Sequence, residues 1–255
     1  MRVAVIGAGS IGGWVIAALE REGLGPEAVI VRGTAPEGVR AVRSVADLPA
    51  GVTHLVDCAG HAGLAAHGPG ALAAGIDVIT LSLGALADAG LARDLALAAE
   101  AGCTRLHLAS GAIGALDALR AGAVGGLSRV RYTGRKPPAG WVGSPAEAVL
   151  DLSALTAPAA HFEGTAREAA LRYPKNANVA AAVALAGLGF DATQARLVAD
   201  PEAGGNIHEI EAEGVFGSFR FEITGAALPD TPRSSALAAM SVVAELRRLG
   251  ARVTT

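Results

Sequence analysis

The first 108 residues alternate short apolar runs with longer stretches in which apolar positions recur every three to four residues. Arg2–Ile6, Ala28–Arg32, His54–Cys58, Asp77–Leu81 and Arg105–Leu108 read as strands, with helices over Gly12–Glu22, Leu64–Ala74 and Asp88–Ala101 between them. Apolar strands alternating with helices imply a parallel sheet covered on both faces. Gly23, Gly75 and Gly102 fall just past helix ends, where a left-handed cap residue is wanted. Ligands of such sheets bind beyond the carboxyl ends of the strands. The turn that leaves the first strand there is Gly7-Ala-Gly-Ser-Ile-Gly12. Gly7 suits a tight turn, Gly9 close approach of backbone to a pyrophosphate, and Gly12 close packing of helix on strand. The helix N-terminus beyond offers free N–H groups to phosphate. Gly7, Gly9, Ser10, Ile11 and Gly12 are therefore candidate dinucleotide contacts.

After Ser110 the pattern changes. Leu127–Thr133, Ala195–Ala199, Ile207–Ala212 and Phe216–Ile223 read as strands, and Arg167–Tyr173 and Val179–Leu188 as helices. Strands gathered late in the chain suggest a mixed, more antiparallel sheet. Ser234–Leu249 carries Leu237, Met240, Val243, Leu246 and Leu249 at helical spacing, and is expected to pack back on the nucleotide domain. The expected architecture is α/β: a Rossmann-type doubly wound parallel sheet over residues 1–108 plus about 234–255, and a second α+β substrate and catalytic domain over 109–233.

Composition narrows the classes. The chain has 255 residues, 51% hydrophobic and 18% charged, which describes a globular protein with a substantial core. A net charge of −3 without a basic stripe argues against nucleic acid. No apolar run is long enough to span a membrane, and glycines break the only stretch that resembles a leader. Two cysteines, Cys58 and Cys103, are too few for a disulfide framework, so a cytoplasmic protein is expected. His54, Cys58, His61 and His67 lack the spacing of zinc ligands, and no metal is expected.

One position departs from the dinucleotide fingerprint. About twenty residues past the glycines, where an acid would hold the ribose hydroxyl, stands Arg32. An arginine accommodates a 2′-phosphate, so NADP is expected to be accepted at least as well as NAD.

Polar and glycine residues concentrate at element boundaries in the second half: Ser110-Gly-Ala-Ile-Gly114, Arg135-Lys-Pro-Pro138, Tyr173-Pro-Lys-Asn-Ala-Asn178 and the run Asp200–His208. With Ser82–Asp88, Ala166–Ala170, Asn206-Ile-His-Glu-Ile210 and Gly214-Val-Phe-Gly217, these segments resemble the L-aspartate dehydrogenase family over nearly the whole chain. The resemblance implies NAD(P)-dependent oxidative deamination of L-aspartate through iminoaspartate to oxaloacetate and ammonia, with a possible outlet into pyridine nucleotide biosynthesis. It carries His208 as the catalytic residue, which suits an imidazole able to take a proton near neutral pH. It also makes Ala112 and Asn178 nicotinamide-side cofactor contacts. A dicarboxylate amino acid needs fixed cations and amide donors, for which Lys136, Lys175 and Asn176 are the candidates, with Arg135 behind them. A homo-oligomer, a dimer foremost, is expected. Two other readings stay open: a related reductase of another small imine or semialdehyde acid, and a dinucleotide sensor without catalysis.

Overall fold

The computed structural model describes residues 1–229 and 231–254, with only the backbone at 231–233. The chain divides into two compact units, Met1–Gly111 with Ala238–Thr255, and Ala112–Leu237. Among the described residues no helix is long and apolar enough to cross a membrane.

The first unit is built on β1 (Val3–Ile6), α1 (Ser10–Arg21), β2 (Ala28–Ile30), β3 (Ala41–Val42), β4 (His54–Asp57), α2 (His61–Ala73), β5 (Asp77–Thr80), α3 (Ala89–Gly102) and β6 (Leu106–Leu108). All six strands run parallel in the order β3-β2-β1-β4-β5-β6. This is the doubly wound sheet expected from the alternation of runs. Its core is aliphatic, with Ala4, Ile6, Leu55, Leu64, Leu72 and Val78 buried. β2 stops at Ile30, two residues before its expected end, and β3 has too few residues to register as a run.

Helix ends follow the glycines with one correction. Gly23 and Gly75 take φ of 70° and 83°, as a left-handed cap requires, but Gly102 stays inside α3 and Cys103 adopts the left-handed conformation instead (φ 53°). Gly102 serves close packing: a Cβ there would lie 1.9 Å from the Leu72 carbonyl oxygen of α2. Cys103 is exposed.

The second unit contains α4 (Leu116–Gly125), β7 (Leu127–Lys136), β8 (Ala159–Thr165), α5 (Ala166–Arg172), α6 (Asn178–Ala186), β9 (Gln194–Ala199), β10 (Asn206–Gly214), β11 (Gly217–Gly225), β12 (Ala227–Leu228) and β13 (Thr231–Ser235). Its main sheet has the order β11-β10-β7-β9-β8, and only β7 and β9 pair in parallel. Alternation along the strands sends Val130, Tyr132, Leu197, His208, Ile210 and Ala212 into the core, while Arg129, Arg131, Glu209 and Glu213 fall on the other face. α5 opens on a capping box in which Thr165 and Glu168 bond each other's backbone N–H. α4 and β8 were not expected from periodicity.

The last helix, α7 (Ala236–Gly250), belongs to the first unit from Ala238 onward. It buries Val242, Val243 and Leu246. Arg247 forks onto Glu22, and Ser241 Oγ accepts the Gly111 N–H at 3.1 Å. His107 stands between Glu245 (3.6 Å) and Asp77 (3.4 Å).

Candidate active site

In the first unit the glycine turn leaves β1 with Gly7 at φ 85°, its N–H bonded to the Ile30 carbonyl. A Cβ on Gly12 would lie 2.1 Å from the Gly7 carbonyl oxygen, so helix and turn can meet only without one. A Cβ on Gly9, by contrast, would meet nothing within 4 Å. Gly9 and Ser10 are exposed and Ile11 is half-buried. The N-terminus of α1 has no side-chain cap and no acid in its first turn. Open space over Gly9 in front of uncapped N–H groups fits a pyrophosphate.

Arg32 is exposed just beyond β2 and, among the described residues, has no bonded partner. A second cation adjoins that loop: Arg43 Nη1 donates to the Val31 carbonyl at 2.6 Å and to that of Gly33 at 3.4 Å. Nothing at fingerprint spacing marked Arg43. At the carboxyl ends of β4 and β5, Asp57 is fully buried and accepts from Thr80 Oγ1 (2.7 Å), Ser82 Oγ (2.6 Å) and the Ala59 N–H (3.0 Å). Burial raises its pKa while the three donors oppose the shift. The network fixes the Ala59–Gly60 turn that meets Gly7. It also escaped the sequence reading, because its members are 23 and 25 residues apart.

In the second unit, His208 lies on β10 opposite Gly134 of β7 and is 3% exposed. Its Nδ1 is 2.8 Å from the hydroxyl of Tyr132, which is wholly buried. Burial, helped by the charge of Lys136, lowers the His208 pKa to about 4, so the ring is neutral at pH 7. Burial also raises the Tyr132 pKa, which keeps the phenol protonated. Tyr132 was not singled out in the sequence, since its partner is 76 residues away.

Lys136 ends β7 on the same face of the sheet as Gly134. Its Nζ donates to Asn176 Oδ1 at 2.9 Å and stands 5.1 Å from the centre of the Trp141 ring. Trp141 is buried and anchored by Nε1–H to the Val198 carbonyl. Burial lowers the Lys136 pKa to about 8, leaving it a cation at neutral pH that is poorly solvated and suited to an anionic partner. Lys136, Asn176 and His208 are thus associated, the first two by a direct bond. Lys175 is exposed beside Asn176. Arg135 lies on the opposite face, 3.9 Å from Asp200 and 3.8 Å from Glu222, away from the group. Ala112 is buried next to Gly111, and Asn178 is half-buried as the first residue of α6, whose N-cap is Ala177.

Comparison with known proteins identifies the family. Residues 117–249 match the family model described as aspartate dehydrogenase, C-terminal, and residues 7–109 that of the homoserine dehydrogenase NAD binding domain. The chain is 63% identical to an L-aspartate dehydrogenase of Ruegeria pomeroyi over 85% of this chain and 78% of that one. It is 48% identical to the L-aspartate dehydrogenase of Pseudomonas aeruginosa over 96% of each. The crystal structure of aspartate dehydrogenase from Thermotoga maritima superposes with a TM-score of 0.80 at 26% identity, covering 100% of this chain and 99% of that one. The chain belongs to the aspartate dehydrogenase family.

Proposed function

We propose that the protein is an NAD(P)-dependent L-aspartate dehydrogenase, converting L-aspartate, water and oxidised cofactor to oxaloacetate, ammonia and reduced cofactor through iminoaspartate. The observation that carries the reading is a buried, neutral His208 held by Tyr132 and associated with the Lys136–Asn176 pair. Gly7, Gly9, Ser10, Ile11 and Gly12 hold the dinucleotide phosphates, and Ala112 and Asn178 its nicotinamide side. Bound NAD or NADP supplies the hydride acceptor.

The other roles fall to this chain's own side chains. Lys136 and the Asn176 amide clamp a substrate carboxylate, with Lys175 at the rim. Lys136 thereby exchanges an uncharged partner for an anionic one. His208 acts as base: with its Nδ1–H donating to Tyr132 Oη, Nε2 is free to take a proton from the substrate ammonium, release it to solvent, and then take one from the water that attacks the imine, which passes on to the departing amine. Its low basicity keeps it unprotonated at working pH.

The test is formation of reduced nicotinamide from L-aspartate against D-aspartate, L-glutamate and L-alanine, for wild type and His208→Ala. L-aspartate should be preferred. The variant should lose about 10²- to 10⁴-fold in kcat, the usual contribution of a general base, while binding cofactor unchanged. Undiminished turnover would overturn the role of His208, and preference for another substrate would overturn the reading.

A further inference from the structure

Lys136 and His208 share a face of the sheet with a third polar residue, Asn206, to which the reaction as described gives no task. Ile207 pairs with Arg135, so Asn206, the first residue of β10, stands level with Lys136, the last of β7. Alternation along β10 puts Asn206 on the face of His208 and Ile210, two residues or about 7 Å of strand from the imidazole. Asn206 is half-buried, and among the described residues its side-chain amide has no hydrogen-bond partner. Asparagine is a poor strand former, and the local bonds that usually place one at an element boundary, to a turn or a helix start, are not made by this amide. On its other side Asn206 pairs with Gly225 of β11. A Cβ at Gly225 would meet only the Asn206 carbonyl oxygen within 4 Å, so the space beside the amide is open.

We propose that Asn206 is a substrate-binding residue whose amide donates to the second carboxylate of L-aspartate, the one that Lys136 and Asn176 do not hold. Given an L-aspartate dehydrogenase, on which this assignment rests, the substrate brings two carboxylates and one ammonium into the site. Lys136 directs its own ammonium to Asn176 and the Trp141 ring, which accounts for one carboxylate. His208 accounts for the substrate ammonium. The remaining carboxylate leaves water and needs donors in return. The Asn206 amide has two N–H donors to offer and no bond to give up first. Its short side chain keeps those donors close to the sheet beside His208, whereas the long stem of Lys136 carries the cation away to Asn176. A monocarboxylic amino acid would leave the Asn206 donors unused, so this residue contributes to the preference for a dicarboxylate.

The experiment compares wild type, Asn206→Ala and Asn206→Asp in steady-state oxidation of L-aspartate and in inhibition by succinate and by propionate, with thermal melts to confirm folding. Asn206→Ala should raise KM for aspartate and Ki for succinate about tenfold or more, the scale of a hydrogen bond to a charged group, with a smaller effect on kcat. Propionate, whose one carboxylate goes to Lys136, should bind the variant as it binds wild type. The melting temperature should hold, because no bond of the folded protein is lost. Asn206→Asp should weaken aspartate and succinate further by setting one carboxylate against another. Aspartate oxidation with KM unchanged in Asn206→Ala, or succinate and propionate weakened alike, would overturn the role of Asn206 and leave the activity standing. A wild type that does not oxidise aspartate would overturn both.

Discussion

Tyr132 Oη reaches His208 Nδ1 at 2.8 Å by lying over Gly134, the residue paired with His208 on the adjoining strand. A Cβ at Gly134 would stand 2.5 Å from that hydroxyl, so the bond depends on the missing side chain. Tyr132→Phe should reduce kcat about tenfold, the worth of one buried hydrogen bond, with cofactor affinity unchanged. Gly134→Ala should cost more, because it moves the ring as well as the bond, and should lower stability by about 1–3 kcal/mol. Steady-state kinetics and denaturant unfolding of both variants check this pair.

Lys136 and Lys175 are neighbours of Asn176 in different settings, one buried against Trp141 and bonded to the amide, the other exposed. Lys136→Ala should raise KM for aspartate about 10- to 100-fold, the scale of a charge-assisted bond in a buried site. Lys175→Ala should raise it only a few-fold, as expected for an exposed charge. Comparable effects of the two would contradict the assignment.

Arg32 with Arg43 behind it places two cations where many dinucleotide sites have an acid. NADP should therefore give a kcat/KM at least equal to that with NAD. Arg32→Ala should lower the NADP value selectively, leaving the NAD value within about twofold. A strong wild-type preference for NAD would count against the role of Arg32.

His208 and His161 are buried, and burial lowers both pKa values to about 4 from 6.5. As pH falls below 6.5 the unfolded chain takes up protons that the folded protein refuses until about pH 4. The stabilisation, full above 6.5, is progressively lost across that window, by about 3 kcal/mol for each ring once pH has fallen below 4. Unfolding midpoints in urea at pH 7.5 and 5 should show the drop, about half of it removed by His208→Gln if that variant folds.

Much of the first unit can be read from the chain because its determinants are local. β1, the glycine turn and α1 follow within 21 residues, and an apolar strand buried on both faces is recognisable alone. α4 and β8 went unread since neither shows a strong period: α4 holds only Leu116, Leu119 and Gly122 in the core, and β8 begins with two alanines. The candidate site was half legible. His208 stood out as a residue, but Tyr132 joins it across 76 positions and Lys136 joins Asn176 across 40, distances at which only the folded sheet supplies the pairing.

The two sides of one helix end, Gly102 and Cys103, make a separate test. Gly102→Ala should destabilise the first unit by about 1–3 kcal/mol through its clash with Leu72. Cys103→Gly should stabilise it by up to about 1 kcal/mol, since glycine adopts the left-handed conformation freely. Thermal melts of the two should move in opposite directions.

The first unit takes α7 from beyond the second, and this sets an order of events at the ribosome. Residues 1–111 emerge first, yet Glu22, His107 and Gly111 must wait for Arg247, Glu245 and Ser241. The second unit is continuous in sequence and can complete its sheet meanwhile. The half of the chain translated first thus cannot finish folding until α7 has emerged, and a nascent chain gains its full nucleotide-binding unit only after the whole second unit has been translated.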